Sequence, residues 1–234
     1  MALIRFALAA LLLATPAFAQ TPERPNRPSF LQGMGLLELQ EIEIRRDGAP
    51  YIALSLPQGG GVQAYPRDTS DASDNVIAAW DFATDEGQFI ESLTLTTAEV
   101  DLADPEVRRF ALANMLMLRS LPQLTAQFPS ARVLGFGPLP HNGGLDMVQM
   151  VGTFAVPDTN RGILFRHIGV LQPDTTRVLV AIVNIDTGVF PVRNEDDVVD
   201  TFAGRSLATL RFTDADAQDD PEAGADGDAE KATE

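Results

Sequence analysis

Three apolar segments in the second half of the chain limit the fold more than any other sequence feature. Residues 147–156, 162–172 and 177–186 are rich in β-branched side chains and are separated only by PDTNR and PDTT. Both connectors are short and turn-like, so the three segments predict an antiparallel meander. The third segment is apolar on both faces at its centre, which predicts an inner strand covered on two sides.

Earlier segments also predict strands. Residues 51–57, 75–83 and 89–100 are rich in β-branched and aromatic residues and are bounded by turn clusters such as GGGV and RDTSDASD. The stretch GLLELQEIEIRRDG at 35–48 is compatible with a helix or a strand, and its alternation in LELQEIEI favours a strand.

The clearest helix begins at residue 104, in DPEVRRFALANMLMLRSLPQL. Asp104 is a good N-cap, with proline and glutamate in the first turn. A helical wheel predicts one outward polar stripe. Its members are Arg108, Arg109, Arg119, Ser120 and Gln123. The stripe is either an anion-binding face or, as we expect, the solvated side of an amphipathic helix.

A second helix is predicted in NEDDVVDTFAGRSLATLRF at 194–212. Asn194 is the expected cap, and acidic residues occupy the first turn. We expect Val199, Phe202, Ala203 and Leu210 on one side of this helix, where they cover the sheet.

The N-terminus predicts export. Arg5 precedes the apolar run FALAALLLA, and AFA at 17–19 suits signal-peptide cleavage. The run is far shorter than the roughly 20 residues that span a bilayer, and we expect no transmembrane segment after cleavage. Without cysteine the chain forms no disulfide, which suits a bacterial periplasm. The predicted organisation is a signal peptide at 1–19, a disordered linker at 20–29, one domain at 30–213 and a disordered acidic tail at 214–234.

The charge of the chain argues against a nucleic-acid partner. The formal net charge is −16, and the tail alone holds nine acids and one lysine. The remaining acidic body repels phosphate backbones and anionic lipid. The tail is either an interaction or calcium-accumulating segment or, as we expect, a solubilising appendage.

No pattern predicts a catalytic residue, a metal site or a cofactor. There is no cysteine and no Gly-x-Ser-x-Gly elbow, and the glycines at 59–61 lack a following Gly-Lys-Ser/Thr. His167 shares its strand face with Ile163 and Phe165, which favours a satisfied, partly buried histidine. His141 could expose an imidazole beside Asp146, but two groups fall short of a metal site.

The candidate binding surface combines two glycine-containing loops that would let a partner approach the backbone. Its residues are His141, Asn142, Gly143, Gly144 and Asp146, together with Gly60 and Gly61.

The order of elements resembles a known fold family. Short strands end in SLPQGGG, VIAAWDFA and SLTLTTAEV form a strand pair, and one helix precedes the meander and the terminal helix. This order is similar to the Mog1/PsbP-like α/β/α sandwich over residues 49–212, with the stretch 144–185 as the closest local likeness. The resemblance implies an α+β protein with an antiparallel sheet covered by helices. It also implies a non-enzymatic accessory or binding module.

We therefore expect a periplasmic binding protein that acts on another cell-envelope component, with a protein as its partner. Two alternatives remain at this point. One is a carrier that holds an apolar ligand or lipid between the sheet and the helix at 104, suggested by the methionines of ANMLMLRSL. The other is a hydrolase that uses His141.

Overall fold

The computed structural model describes residues 37–100, 104–141, 143–157, 159, 161–173 and 175–213. The predicted signal peptide, linker and acidic tail lie outside these residues, as does Asn142 of the candidate binding surface. No helix of the described residues is long and apolar enough to cross a membrane.

A seven-stranded antiparallel sheet organises the described chain, with strand order β3-β4-β5-β9-β8-β7-β6. Its strands are β3 (Val62–Pro66), β4 (Val76–Thr84), β5 (Phe89–Glu99), β6 (Arg132–Leu139), β7 (Met147–Ala155), β8 (Gly162–Leu171) and β9 (Arg177–Asp186). The predicted meander is confirmed, because β7, β8 and β9 pair in sequence. The inner position predicted for the third segment is also confirmed, because β9 lies between β5 and β8.

One face of the large sheet packs against a second, smaller sheet. The small sheet contains β1 (Glu38–Ile44), β2 (Ile52–Gln58) and β10 (Arg211–Phe212), in the order β1-β2-β10. Leu54 of β2 and Leu95 and Ile168 of the large sheet belong to one buried cluster. We call this side of the large sheet the inner face. The strand assignment of LELQEIEI is confirmed by β1.

The other face of the large sheet carries a helical segment, and we call it the helix face. The segment consists of α1 (Pro105–Met115), a π-helical turn (Leu116–Ser120) and α2 (Leu121–Gln127). Leu112 and Leu116 pack with Val148 and Val180, and Leu124 packs with Phe165. The predicted α+β class, with an antiparallel sheet covered by helices, is confirmed.

The predicted polar stripe on this helical segment is confirmed for three of its residues and wrong for two. Arg109, Arg119 and Gln123 are exposed. Arg108 is buried, and its Nη2 donates to the carbonyl of Gln172 at 3.1 Å. Ser120 is partly buried and hydrogen-bonded to His167 of the sheet. The outer side also exposes Phe110 and Leu118, which are 68% and 73% exposed.

The helical wheel itself accounts for the burial of Arg108. At 100° per residue, Leu112 and Leu116 lie about 40° and 80° from Arg108, inside the arc that was assigned to the polar stripe. Both leucines are buried against the sheet, so this part of the arc faces the sheet and includes Arg108. Ser120 ends the π-helical turn, whose wider turn departs from a wheel with a fixed angle per residue.

The second predicted helix is two short helices. They are α3 (Glu195–Val199) and α4 (Phe202–Ala208). The Asn194 cap is confirmed, since its Oδ1 accepts from the Asp197 amide at 2.9 Å. The chain breaks at Thr201, whose hydroxyl oxygen accepts from the Gly204 amide and caps α4. Because of this break Val199 is 51% exposed rather than packed beside Phe202, which is fully buried.

Gly152 of β7 gives a first testable prediction. A Cβ at this position would lie 2.2 Å from the carbonyl oxygen of Arg132 and 2.4 Å from Cζ of Phe165. Neither the paired backbone nor the buried ring can move away cheaply, so Gly152→Ala should lower the free energy of unfolding by about 1–3 kcal/mol. Urea unfolding followed by circular dichroism measures the loss. Gly135→Ala on β6, where nothing lies within 4 Å, is the control, and equal losses in both variants would contradict the prediction.

Candidate functional site

The helical segment leaves part of the helix face uncovered, and a groove lies there. It runs beside α2 over strands β4, β5, β9 and β8, and its volume is about 570 Å³. This is within the range of small-molecule sites, which are concave and combine apolar walls with a few polar groups. The groove is therefore the candidate functional site of the described chain.

A row of polar side chains forms its floor. Asp81 pairs with Ser92 across β4 and β5, and Ser92 pairs with Asn184 across β5 and β9. Side chains directly opposite on neighbouring strands share a face and lie about 5 Å apart. All three line the groove, and we call them the polar row.

A buried histidine borders the polar row. His167 of β8 is 4% exposed, and its Nδ1 shares a hydrogen bond with Oγ of Ser120 at 2.7 Å. Burial lowers the pKa of His167 to about 4. The imidazole is therefore neutral near pH 7, as the sequence analysis expected of a satisfied, partly buried histidine.

The charged groups at the groove are paired within the protein. Arg67 Nε lies 3.5 Å from Oδ1 of Asp81, and Arg161 Nη2 lies 2.7 Å from Oδ2 of Asp186. The Arg161 guanidinium also lies over the ring of Phe89, 5.6 Å from its centroid. Burial raises the pKa of the Asp81 carboxyl, and the nearby Arg67 opposes that effect. Each of these arginines and aspartates therefore lies beside an opposite charge of the same protein.

Aromatic rings form the apolar end of the groove. The rings of Phe128 and Phe154 stack with centroids 4.1 Å apart and an interplanar angle of 19°. Phe154 continues this contact to Phe165 in the core, at 6.2 Å. Packing on both sides fixes the two rings that line the groove, which gives a ligand a rigid apolar wall.

The structure places His141 away from the groove, in the loop between β6 and β7. Its Nδ1 accepts from the Gly143 amide at 3.0 Å, and its Nε2 lies 3.1 Å from the Leu207 carbonyl. Because a carbonyl only accepts, Nε2 carries the proton. Both ring nitrogens are engaged, and Asp146 pairs with Arg109 at 2.6 Å rather than with His141. The imidazole joins its loop to α4.

Gly60 and Gly61 form a tight turn between β2 and β3. Their φ angles are 60° and 84°, and Gly59 pairs with Val62 around them, as in a type I′ hairpin turn. This turn lies at the β3 edge of the large sheet, whereas the loop holding Gly143 and Gly144 lies at the β6 edge and at the other end of the strands. The structure thus separates the two loops that the sequence analysis combined, and partner binding by either loop stays a prediction.

The Ser120–His167 contact at the groove resembles part of a nucleophilic catalytic site. A base with a pKa of about 4 takes little proton from a serine near pH 7, so Ser120 and His167 are poorly matched for nucleophilic catalysis. Among the described residues no group of three or more His, Asp or Glu side chains could hold a metal ion. The groove itself combines a polar floor with an aromatic wall, as small-molecule sites do.

Sequence reasoning missed two buried ionisable side chains, Glu91 and Arg166, on the inner face. Glu91 of β5 is fully buried, and its Oε1 accepts from the Ala203 amide at the start of α4 at 2.7 Å. Arg166 of β8 is 2% exposed and donates to the Val198 carbonyl and to Gln149. Burial raises the pKa of Glu91 to about 7 and lowers that of Arg166 to about 10, while each charge opposes the shift of the other.

A signal for this pair was present in the sequence. In FIESLTL, alternation puts Glu91 on the same strand face as Leu93 and Leu95, and in ILFRHIGV it puts Arg166 with Leu164 and Ile168. A charged residue on an apolar strand face predicts a buried and paired charge.

Comparisons with known proteins give structural likeness only. No family model matches the chain, and no curated protein matches it. The Ran-binding protein Mog1p of Saccharomyces cerevisiae is similar in structure, with a TM-score of 0.44 and 14% identity over 75% of this chain and 96% of that one. LpqN of Mycobacterium tuberculosis, which is involved in cell envelope biogenesis, has a TM-score of 0.42 and 14% identity over 81% of this chain and 100% of that one. Mog1 is thus among the similar structures, but at these scores the likeness carries no argument about function.

Proposed function

We propose that this protein is a non-enzymatic binding protein of the bacterial periplasm, and that the groove on the helix face binds a cell-envelope component. The observation that carries the proposal is the groove itself, where a polar row lies between a rigid aromatic wall and side-chain charges that are already paired. Export is proposed from the sequence of residues 1–19, where Arg5, an apolar run and AFA follow one another as in a signal peptide.

The groove occupies the place that the carrier alternative assigned to an apolar ligand, between the sheet and the helix at 104. Its floor does not suit such a ligand. Ser92 is already buried, and burying the half-buried Asn184 under a hydrocarbon would remove its amide from water without a hydrogen-bond partner, at a cost of about 1–3 kcal/mol. The hydrolase alternative has no support from His141, whose two ring nitrogens are hydrogen-bonded to the backbone.

Native mass spectrometry tests the proposal. The full chain is produced with its own N-terminus, purified gently from the periplasm and mixed with a small-molecule extract of the cell envelope. We expect a mass that begins at Gln20 and a bound small molecule. Gln123→Trp, which fills the groove from α2, should reduce the bound fraction at least tenfold.

Ala126→Trp is the matched control, since Ala126 is exposed on α2 but does not line the groove. Binding that survives Gln123→Trp would place the site elsewhere. The absence of any bound molecule in the parent protein would contradict the binding function, and an unprocessed mass would contradict export.

A further inference from the structure

We infer that the groove binds a neutral saccharide, with its hydroxyl or amide groups on the polar row and the C–H face of one sugar ring on the Phe128–Phe154 wall. The inference rests on the proposed function, because it names the ligand class of the same groove. It follows from the charge balance, the free hydrogen-bonding groups and the aromatic wall of this site.

The charge balance favours an uncharged ligand. The two arginines at the groove, Arg67 and Arg161, each lie within 4 Å of a carboxylate of the same protein. An anionic ligand would have to displace Asp81 or Asp186 from its partner and then lie beside the freed carboxylate. The net charge of −16 adds a long-range repulsion against anions. A cationic ligand would have to displace Arg67 or Arg161 from its carboxylate and then lie beside the freed guanidinium.

The hydrogen-bonding groups of the groove are uncharged and available. Asn184, Gln123, Gln127 and the largely buried Ser92 line it, and none of their side chains is hydrogen-bonded to another described residue. Amide and hydroxyl groups both donate and accept, as sugar hydroxyls do. Ser92 and Asn184 lie on neighbouring strands at the spacing of about 5 Å, so two neighbouring hydroxyls of a saccharide can each meet an uncharged partner.

The aromatic wall supplies the apolar contact that a sugar needs. One face of a pyranose ring presents mainly C–H groups, which carry partial positive charge, whereas the face of a phenyl ring is negative. Phe128 is only partly buried and lines the groove, and its stacking on Phe154 holds it in place. The wall and the polar row together match a ligand with one apolar face and a polar edge.

Titration followed by ¹H–¹⁵N nuclear magnetic resonance tests the inference on the full mature chain. The saccharide probes are chitotriose, a trimer of N-acetylglucosamine, and maltotriose. Decanoate and inorganic phosphate are the apolar and anionic comparators. At millimolar concentrations we expect one of the saccharides to shift the amide signals of Ser92, Asn184 and Gln123 in a saturable manner.

Two groove variants and one control locate the binding. Asn184→Leu removes part of the polar row, and Gln123→Leu alters an exposed residue that the fold does not need; each should weaken saccharide binding at least fivefold. Thr96→Val, on the helix face of β5 but outside the groove, should leave it unchanged. Saccharide binding that is unaffected by both groove variants would overturn the inference.

The comparators separate this inference from the proposed function. If decanoate or phosphate shifts the groove signals and neither saccharide does, the saccharide inference fails while the groove remains a binding site. If none of the four probes shifts them, the saccharide inference also fails, and the mass measurement on the envelope extract still decides whether the groove binds anything.

Discussion

Replacing Glu91 with leucine should lower the free energy of unfolding by about 1–3 kcal/mol, because a buried amide loses its acceptor. The substitution removes the acceptor of the Ala203 amide, which lies 2.7 Å from Glu91 Oε1. It also removes the attraction of the Glu91 carboxylate for the buried Arg166, which keeps its hydrogen bonds to the Val198 carbonyl and to Gln149. Urea unfolding followed by the fluorescence of Trp80, the one tryptophan of the chain, measures the change.

Two further variants separate the charge effect from the loss of packing. Glu99→Leu changes the exposed glutamate at the end of the same strand and should alter stability by less than about 0.5 kcal/mol. Combining Glu91→Leu with Arg166→Met removes both charges, and this double variant should be more stable than Glu91→Leu alone. If the second substitution instead adds its own full loss, the two charges do not interact and the explanation is wrong.

Most strands of the two sheets could be predicted from the sequence, but the two edge strands of the large sheet could not. The predicted segments correspond to β1, β2, β4, β5 and the three meander strands, which carry β-branched and aromatic side chains. The sequence analysis did not predict β3 and β6, the two edge strands of the large sheet. Pro66 ends β3, and β6 contains Gly135, Gly137 and Pro138, residues that lower β propensity but are tolerated where one side of the strand is unpaired.

The groove could not be predicted because its residues come together only through strand order. Asp81, Ser92 and Asn184 lie in three separate segments, and alternation shows only that each faces the opposite side from its apolar neighbours. The pairing of β5 with β9, two strands far apart in the sequence, places Ser92 beside Asn184. No local pattern contains that long-range pairing.

The loop at His141 illustrates the opposite error. Its histidine, glycines and acid formed the most polar cluster near the meander, so composition suggested a binding surface. In the structure these residues stabilise the loop backbone instead. Gly144 adopts a φ of 73°, and His141 Nδ1 accepts from the Gly143 amide. His141 Nε2 bonds to the Leu207 carbonyl and so connects the loop to α4. Turns and binding sites are built from the same types of polar residue. A turn is recognised when those residues are hydrogen-bonded to the backbone of their own loop.

Glu91 and His167 lie on opposite faces of the same sheet, and their burial should affect the pH dependence of stability in opposite directions. Burial raises the pKa of Glu91 from 4.5 to about 7, so its contribution is fully present below pH 4.5 and is lost as the pH rises through 7. Burial lowers the pKa of His167 from 6.5 to about 4, so its contribution is present above pH 6.5 and is lost as the pH falls through 4.

We therefore expect His167→Gln to become more stable relative to the parent protein as the pH falls from 7 to 4, by about 3 kcal/mol in total. Glutamine stays neutral throughout this range and can still bond with Ser120, so only the cost of protonating a buried imidazole is removed. Urea unfolding at a series of pH values measures the difference. Glu91→Gln is the opposing control, because its stability relative to the parent should fall on acidification from pH 7 to 4.5. A difference between His167→Gln and the parent that does not change with pH would mean that His167 is protonated as easily in the folded state as in the unfolded state.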